Sequence, residues 1–393
     1  MKRNEADRLL TQLYEGNGLF AKIIDAPAEE AFRQGFTING DISGDGIEYA
    51  TDCLEWLHWE KTAEAAVKWA RLYGGSVVVM LINDGGGIDE PLIWDNIRSV
   101  DGLRVYDRSI IRPDHAGFDG SRHRMPEHYH IFSQYGTFSA HASRCLVFRN
   151  GSRLHERSTE MHLWPWAIPE GYRIIEALQN AEASHGNAPH FLDRSIQPVH
   201  KIRGLSQMLA TAEGMEQISR QLEVADLARG LLNTIPVDME NDFCFLAAIP
   251  DGIREIVDVS DRMLSAVTGI PEIVLWGKPI DYERPGQMWR TQARSTLENW
   301  YSFVGSIQTG MVKGNLWRLL SIIFCSGIYS GELDRLPTFD IEFSPLWCVD
   351  ALDLADIDLA KAERDLAKAK TAEMYIDMGV IQPGEVRKCL YRK

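Results

Sequence analysis

Residues 276–286, WGKPIDYERPG, open into QMWRTQARSTLENWYSFVGSIQTGMVKGNLWRLLSIIFC at 287–325. The second stretch contains no proline and predicts one helix of about forty residues. At about 1.5 Å of rise per residue it reaches roughly 58 Å, well beyond the three turns of an average globular helix. A rod of that length suits a ring or tube built from many copies better than a small enzyme domain. Gly305, Gly310 and Gly314 mark where it can bend, since glycine weakens a helix by about 1 kcal/mol relative to alanine.

Working outward, TAEAAVKWARLYGG (62–75) predicts a helix closed by Gly74 and Gly75. SVVVMLIN (76–83) then predicts a buried strand, being β-branched and continuously apolar. Upstream, KIIDAPAEEAFRQGF places Ile23, Ile24, Ala28, Ala31 and Phe32 on one helical stripe, with Pro27 near a helix start. From Leu92 to Phe148 the pattern is mostly β, and EHYHIF and SRCLVF read as neighbouring strands around SQYG. A helix is expected from Gly171 to Asn187, then a connector with a short strand at VHKI (199–202). Further helices are expected over 212–233 and in GIREIVDVSDRMLSAVTG (252–269), with strands TIPVDME and DFCFLAAI between them. PTFDIEFSPLW (337–347) reads as a strand. Leu352, Leu359 and Leu366, each followed three residues later by alanine, predict a terminal helix with a narrow packing seam. The fold class is therefore α+β.

Composition narrows the function classes. The 393 residues are 45% apolar and 25% charged, as in globular proteins. No run of eighteen apolar residues suggests a membrane span, and the first residues lack a signal-peptide core, so synthesis in the cytoplasm is expected. The six cysteines are scattered without a CxxC pair and read as single thiols, not as a metal or disulfide framework. A net charge of −15 argues against a sequence-specific nucleic-acid binder, which neutralises phosphates with clustered cations.

Motifs for catalysis are sparse. Asp84-Gly85-Gly86-Gly87 lacks the lysine and the helix start of a phosphate loop and reads as a hairpin turn. His128 and His130 share a strand face, but no acidic or thiol pattern completes a metal site, and none is assigned. His141-Ala142-Ser143 is the one His-x-Ser/Thr tripeptide, where a two-histidine phosphodiesterase needs two. Neither GxSxG nor HExxH occurs. Lys278 and Arg284 in the opening loop, and Arg290 just inside the helix, have two readings. They are surface charges paired with Asp281 and Glu283, or they touch a phosphate backbone.

The ordered set of segments resembles the tailed-phage portal proteins, in the group once described as a phage domain of unknown function. The carrying stretches are YEGNGLFAKIIDAPAEEAFRQGF (14–36), KWARLYGGSVVVMLINDG (68–85), LRVYDRSII (103–111) and HASRCLVFRNG (141–151). KIRGL (201–205), VTGIPEIVLWG (267–277) and GVIQPGEVRKCL (379–390) complete it. This resemblance implies a portal-type fold: a wing (1–205), stem helices (206–269) around a short clip at about 234–252, a tunnel loop (270–286), a long helix with the wing's return strand (287–350), and a helical crown (351–393).

It further implies a homo-oligomeric ring, usually twelve-fold, at one capsid vertex of the virion, with no catalytic site and no cofactor. Its implied partners are the terminase large subunit, a head–tail adaptor, the major capsid protein or scaffold, and double-stranded DNA passing non-specifically. Lys278, Arg284 and Arg290 would then be the channel-side contacts. Tyr282, Glu283, Arg284 and Pro285 stand where relatives carry small residues. A phosphodiesterase-like enzyme and a head–tail adaptor that never touches DNA are the alternatives.

Overall fold

The computed structural model describes residues 3–114, 126–134, 136–151, 166–201, 209–220, 223, 242–247, 253–277, 287–347 and 364. Two helices open the chain, α1 (Arg3–Gly16) and α2 (Gly18–Phe32), separated by Asn17, whose side chain accepts from the Phe20 N–H and caps α2. The expected stripe is present: Ile23, Ile24, Ala28 and Ala31 are buried. Pro27, however, sits inside α2 and not at its start. Strand β1 (Phe36–Gly40) and helix α3 (Gly44–Trp56) lead to α4 (Trp59–Tyr73).

Gly74 ends α4 with φ 88°, a left-handed conformation that only glycine adopts cheaply. A Cβ there would also lie 2.2 Å from the Ala167 carbonyl oxygen. The reversal feeds β2 (Gly75–Asn83), the middle strand of an antiparallel sheet ordered β3-β2-β7, with β3 at Ser99–Asp107 and β7 at Cys145–Arg149. Val78 and Met80 face the main core with α2 and α4, whereas Val77 and Val79 face a second apolar cluster holding Tyr129, Ile131 and Trp166. Burial on both faces is why Val77–Met80 runs apolar without alternating.

The second cluster rests on a small sheet ordered β4-β5-β6: Ile111–Pro113, His128–Ser133 and Gly136–His141. Here the sequence expectation is corrected. EHYHIF pairs with the adjoining TFSAH, while CLVFR crosses to the other sheet and pairs with β2. A 3-10 turn at Ala142–Arg144 makes the switch between sheets.

Asp84-Gly85-Gly86-Gly87 is likewise not a tight hairpin. β2 and β3 are antiparallel neighbours, but residues 84–98 join them as a longer loop. Asp84 organises that loop: its buried carboxylate accepts from the Gly86 and Ile93 N–H groups and from Arg144 Nη2 at 2.8–3.0 Å.

Helix α5 spans Gly171–Ser195, eight residues past the expected end, and runs straight into strand β8 (Ile196–Lys201). A helical stretch at 212–220 covers the described part of the expected 212–233 helix. β8 pairs antiparallel with β9 (Asp242–Ala247), Ile196 lying opposite Ala247. Helices α6 (Ile253–Thr268) and α7 (Glu272–Trp276) follow. TIPVDME and the expected terminal seam helix lie outside the described residues.

The rod is present and longer than expected. It runs as α8 (Gln287–Ile307), a π turn (Gln308–Val312) and α9 (Lys313–Ser330), ending at Gly331 with φ 85°. The irregularity falls among the three glycines, and two side-chain amides hold it, the buried Gln308 and the half-buried Asn315. Gln308 Nε2 donates to the Ala31 carbonyl at 2.8 Å, and Asn315 Nδ2 donates to the carbonyls of Met311 (2.8 Å) and Val147 (3.0 Å). A π turn loosens the i→i−4 ladder, and here side chains take up carbonyl capacity beside it. Strand β10 (Phe339–Phe343) then returns to pair with β1, Ile341 opposite Ile38. Mixed helix and sheet in this arrangement make the fold α+β.

Candidate assembly and channel surfaces

The chain reverses through the β8–β9 ribbon, so α6 runs back along α5. Leu264 and Asp261 of α6 are fully buried against this neighbour. Asp261 Oδ1 meets His185 Nε2 at 2.8 Å, and Ser260 and Ser184 share a hydrogen bond of 2.8 Å.

The other side of α6 is also apolar. Ile256, Val259, Met263 and Val267 are 64%, 61%, 60% and 40% exposed. Spacings of three, four and four residues put them on one stripe of the helix. A helix needs one apolar face to join a core, and α6 carries two. Sequence reasoning found this helix but missed its second face. The available signal was the apolar count of IREIVDVSDRMLSAV, too high for a single stripe.

Beyond α6 the chain approaches the loop expected to carry cations. Gly277 caps α7 at φ 65°, Lys22 Nζ donates to the Leu275 carbonyl at 3.0 Å, and the Trp276 ring lies 4.8 Å from that of His185. The point where the loop leaves the body is thus tied to both α2 and α5. Lys278 and Arg284 lie outside the described residues. Arg290 falls in the first turn of α8, its side chain outside the description.

The histidines have structural duties. His128 and His141 lie opposite each other in β5 and β6, their rings edge to face at 5.1 Å. His128 Nε2 lies 3.1 Å from the Asp89 carbonyl and so donates to it. His141 Nδ1 accepts the Ser143 N–H at 3.1 Å and lies 2.8 Å from the Ser143 hydroxyl, which in turn accepts the Leu92 N–H. Burial, then the nearby His128, pushes the His141 pKa down, keeping the ring neutral and its Nδ1 an acceptor. The His-x-Ser tripeptide therefore caps the turn between the two sheets. Among the described residues no group of three or more His, Cys, Asp or Glu could hold a metal ion.

Comparison with known proteins agrees with this architecture. A family model described as phage portal protein matches residues 9–367. The anti-CBASS protein Acb1 of Caulobacter sp. (strain RHG1) is 23% identical over 384 residues, an alignment covering 92% of this chain and 58% of that protein. The chain thus spans little more than half the length of this curated relative. Among solved structures, a chain in the neck of an empty GTA particle, computed with C6 symmetry, matches with TM-score 0.50 and 16% identity over 98% of this chain and 93% of that one. A chain in the neck of a native GTA particle, computed with C12 symmetry, gives TM-score 0.49 and 14% identity over 98% and 93%. With nearly its whole length matched by the family model, this chain is a member of the phage portal protein family.

Proposed function

We propose that copies of this chain close into a ring, the portal at one capsid vertex of a virion, through which double-stranded DNA enters and leaves. The supporting observation is the second apolar face of α6. Four large side chains exposed in one stripe cost free energy in water, about 25 cal/mol per Å² of apolar surface, and a neighbouring copy can cover them. In a cyclic ring each interface is heterologous, so the stripe meets a different surface of the next subunit. Twelve subunits is the number the family resemblance suggests.

The stem is assigned to α5 and α6, because these two helices pack together and the β8–β9 ribbon continues from their ends. This reading differs from the expected stem of 212–233 with 253–269, whose first helix lies largely outside the described residues, and it takes the ribbon as part of the clip. Residues 270–286 remain the tunnel loop, 287–350 the long helix with its return strand, and 351–393 the crown. The terminase large subunit and a head–tail adaptor would meet the clip side, and the major capsid protein or scaffold the wing. The subunit contributes no catalysis; a packaging motor supplies the chemistry.

Electron microscopy of the purified protein, with light scattering for mass, tests the ring. Wild-type chain should give annuli, and Met263→Glu with Val259→Lys should give folded monomers of unchanged circular dichroism. Annuli of normal yield in the double variant would remove α6 from the interface. Monomers of the wild type inside and outside particles would remove the ring itself.

A further inference from the structure

A hollow of about 190 Å³ opens on the wing between α3, β3 and α9, lined by Tyr49, Cys53, Trp56, Val100, Asp101 and Ile323 among others. A cavity of about 150 Å³ lined by apolar side chains is large enough for benzene, so this one accommodates a single leucine or phenylalanine side chain. Its polar groups are already engaged. Tyr49 Oη and Ser326 Oγ lie 3.0 Å apart in a hydrogen bond, and the Ser99 hydroxyl donates to Asp101 Oδ1 at 2.6 Å. Burial pushes the Cys53 thiol up, so it is mainly protonated and reacts slowly at neutral pH. What the hollow offers an occupant is apolar contact, and Trp56, one of its lining residues, is 64% exposed.

The surround is acidic. Helix α3, GDGIEYATDCLEW, contains Asp45, Glu48, Asp52 and Glu55 and no lysine or arginine. All four are exposed, as is Asp101. Among the described residues no cation is ion-paired with any of the five. The nearby Arg98 is directed over the Tyr329 ring, 5.9 Å from its centroid.

An apolar hole inside a field of carboxylates selects its ligand twice. It rejects phosphate-bearing surfaces, whether nucleic acid or anionic lipid, and it attracts cationic peptide. We propose that this hollow is a docking site for a basic segment of a partner protein. One leucine or aromatic side chain enters between Tyr49 and Val100, Trp56 covers it, and flanking lysines or arginines face Asp52, Glu55 and Asp101. A single buried anchor with a charged rim is the usual energetic layout of a small protein–protein contact. The site is independent of the α6 stripe and stands whether or not the ring reading does.

Fluorescein-labelled hexapeptides test it by anisotropy on the full chain at low salt: Lys-Lys-Leu-Phe-Lys-Lys, Lys-Lys-Ser-Gly-Lys-Lys and Glu-Glu-Leu-Phe-Glu-Glu. The first should bind and the third should not, and absence of the apolar pair from the second should weaken binding about tenfold or more. Trp56→Ser, and separately Asp52→Lys with Asp101→Lys, should each weaken the first peptide about tenfold. Saturating Lys-Lys-Leu-Phe-Lys-Lys should also slow alkylation of Cys53 by N-ethylmaleimide, read by mass spectrometry in unmutated protein. Equal binding of the first two peptides would show attraction by net charge alone and overturn the proposal. So would unchanged binding in Trp56→Ser, or Cys53 alkylation indifferent to the peptide.

Discussion

Arg71 repairs a helix that Pro27 breaks. Proline has no N–H, so the Ile23 carbonyl, four residues earlier in α2, loses its helical donor. The fully buried Arg71 guanidinium supplies one: Nη2 donates to Ile23 at 3.1 Å and Nε to Ile24 at 3.3 Å. Its carbon Cζ also lies 5.8 Å from the centre of the Phe303 ring, which joins α2 and α4 to the rod. Replacing Arg71 with Met should therefore destabilise by about 1–3 kcal/mol for the stranded Ile23 carbonyl. Pro27→Ala should soften that loss, because alanine restores one donor. A double-mutant cycle in urea should show coupling of about 0.5–3 kcal/mol, and additive effects would mean the two residues do not share the Ile23 carbonyl.

Asp84 and Arg144 make a buried ion pair at the loop between β2 and β3. Burial works against the Asp84 charge, but hydrogen bonds from Arg144, Ile93 and Gly86 outweigh it, and the pKa is lowered. A carboxylate with a depressed native pKa stabilises fully above its unfolded value, near 4, and loses that contribution as pH falls through the native value. The unfolding midpoint should thus fall as pH drops below about 4, with a smaller acid-induced drop in Asp84→Asn. That variant should also lose about 3–5 kcal/mol at neutral pH, since it strands a buried guanidinium.

His141 should behave as a cap and not as an acid or base. His141→Asn keeps an acceptor for the Ser143 N–H, whereas His141→Phe removes it and should cost about 1 kcal/mol. The sign with pH follows from its lowered pKa. The neutral ring contributes fully above the unfolded value near 6.5, and the contribution erodes as pH falls towards the native value. Chemical denaturation at pH 7.5 and pH 5 should show this loss in the wild type and not in His141→Asn.

The loop cations need a functional readout. Replacing Lys278, Arg284 and Arg290 together with alanine should leave ring assembly intact and lower the amount of DNA packaged or retained per particle. For every phosphate no longer neutralised, the salt dependence of DNA association should also flatten by about one unit of log–log slope. Normal DNA content in particles built from the triple variant would take these residues out of the channel.

Much of this architecture could be read from local pattern. The run Val77–Met80 announced a strand buried on both faces, and Gly74 announced the end of the helix before it, because both signals lie within a few residues of their consequence. The π turn was only half legible. The three glycines marked the region, but the amide that holds it, Gln308, finds its acceptor 277 positions away at Ala31. Asp84 was read as a turn residue for the same reason, since its cationic partner lies 60 positions on. The strand exchange at Cys145 was misread because TFSAH and CLVFR form one uninterrupted β-like stretch, and only a three-residue turn tells them apart. The outward face of α6 needed the fold itself: apolar spacing shows that a helix has stripes, not which of them the same chain will cover.

The π turn also acts as a spacer in angle. One residue of α-helix advances the chain by about 100°, whereas the wider π turn takes in one extra residue without that rotation, so the faces before Gln308 and after Val312 stay aligned. Tightening Gln308–Val312 into regular α-helix with every residue kept, as loss of the Gln308 amide would favour, would add that rotation while α9 stays clamped by Asn315. The segment that begins at Gln287 would then be clocked about 100° around its axis. In the proposed ring that rotation would be repeated in every copy, so one amide bonded to Ala31 would set which way a whole circle of helices looks.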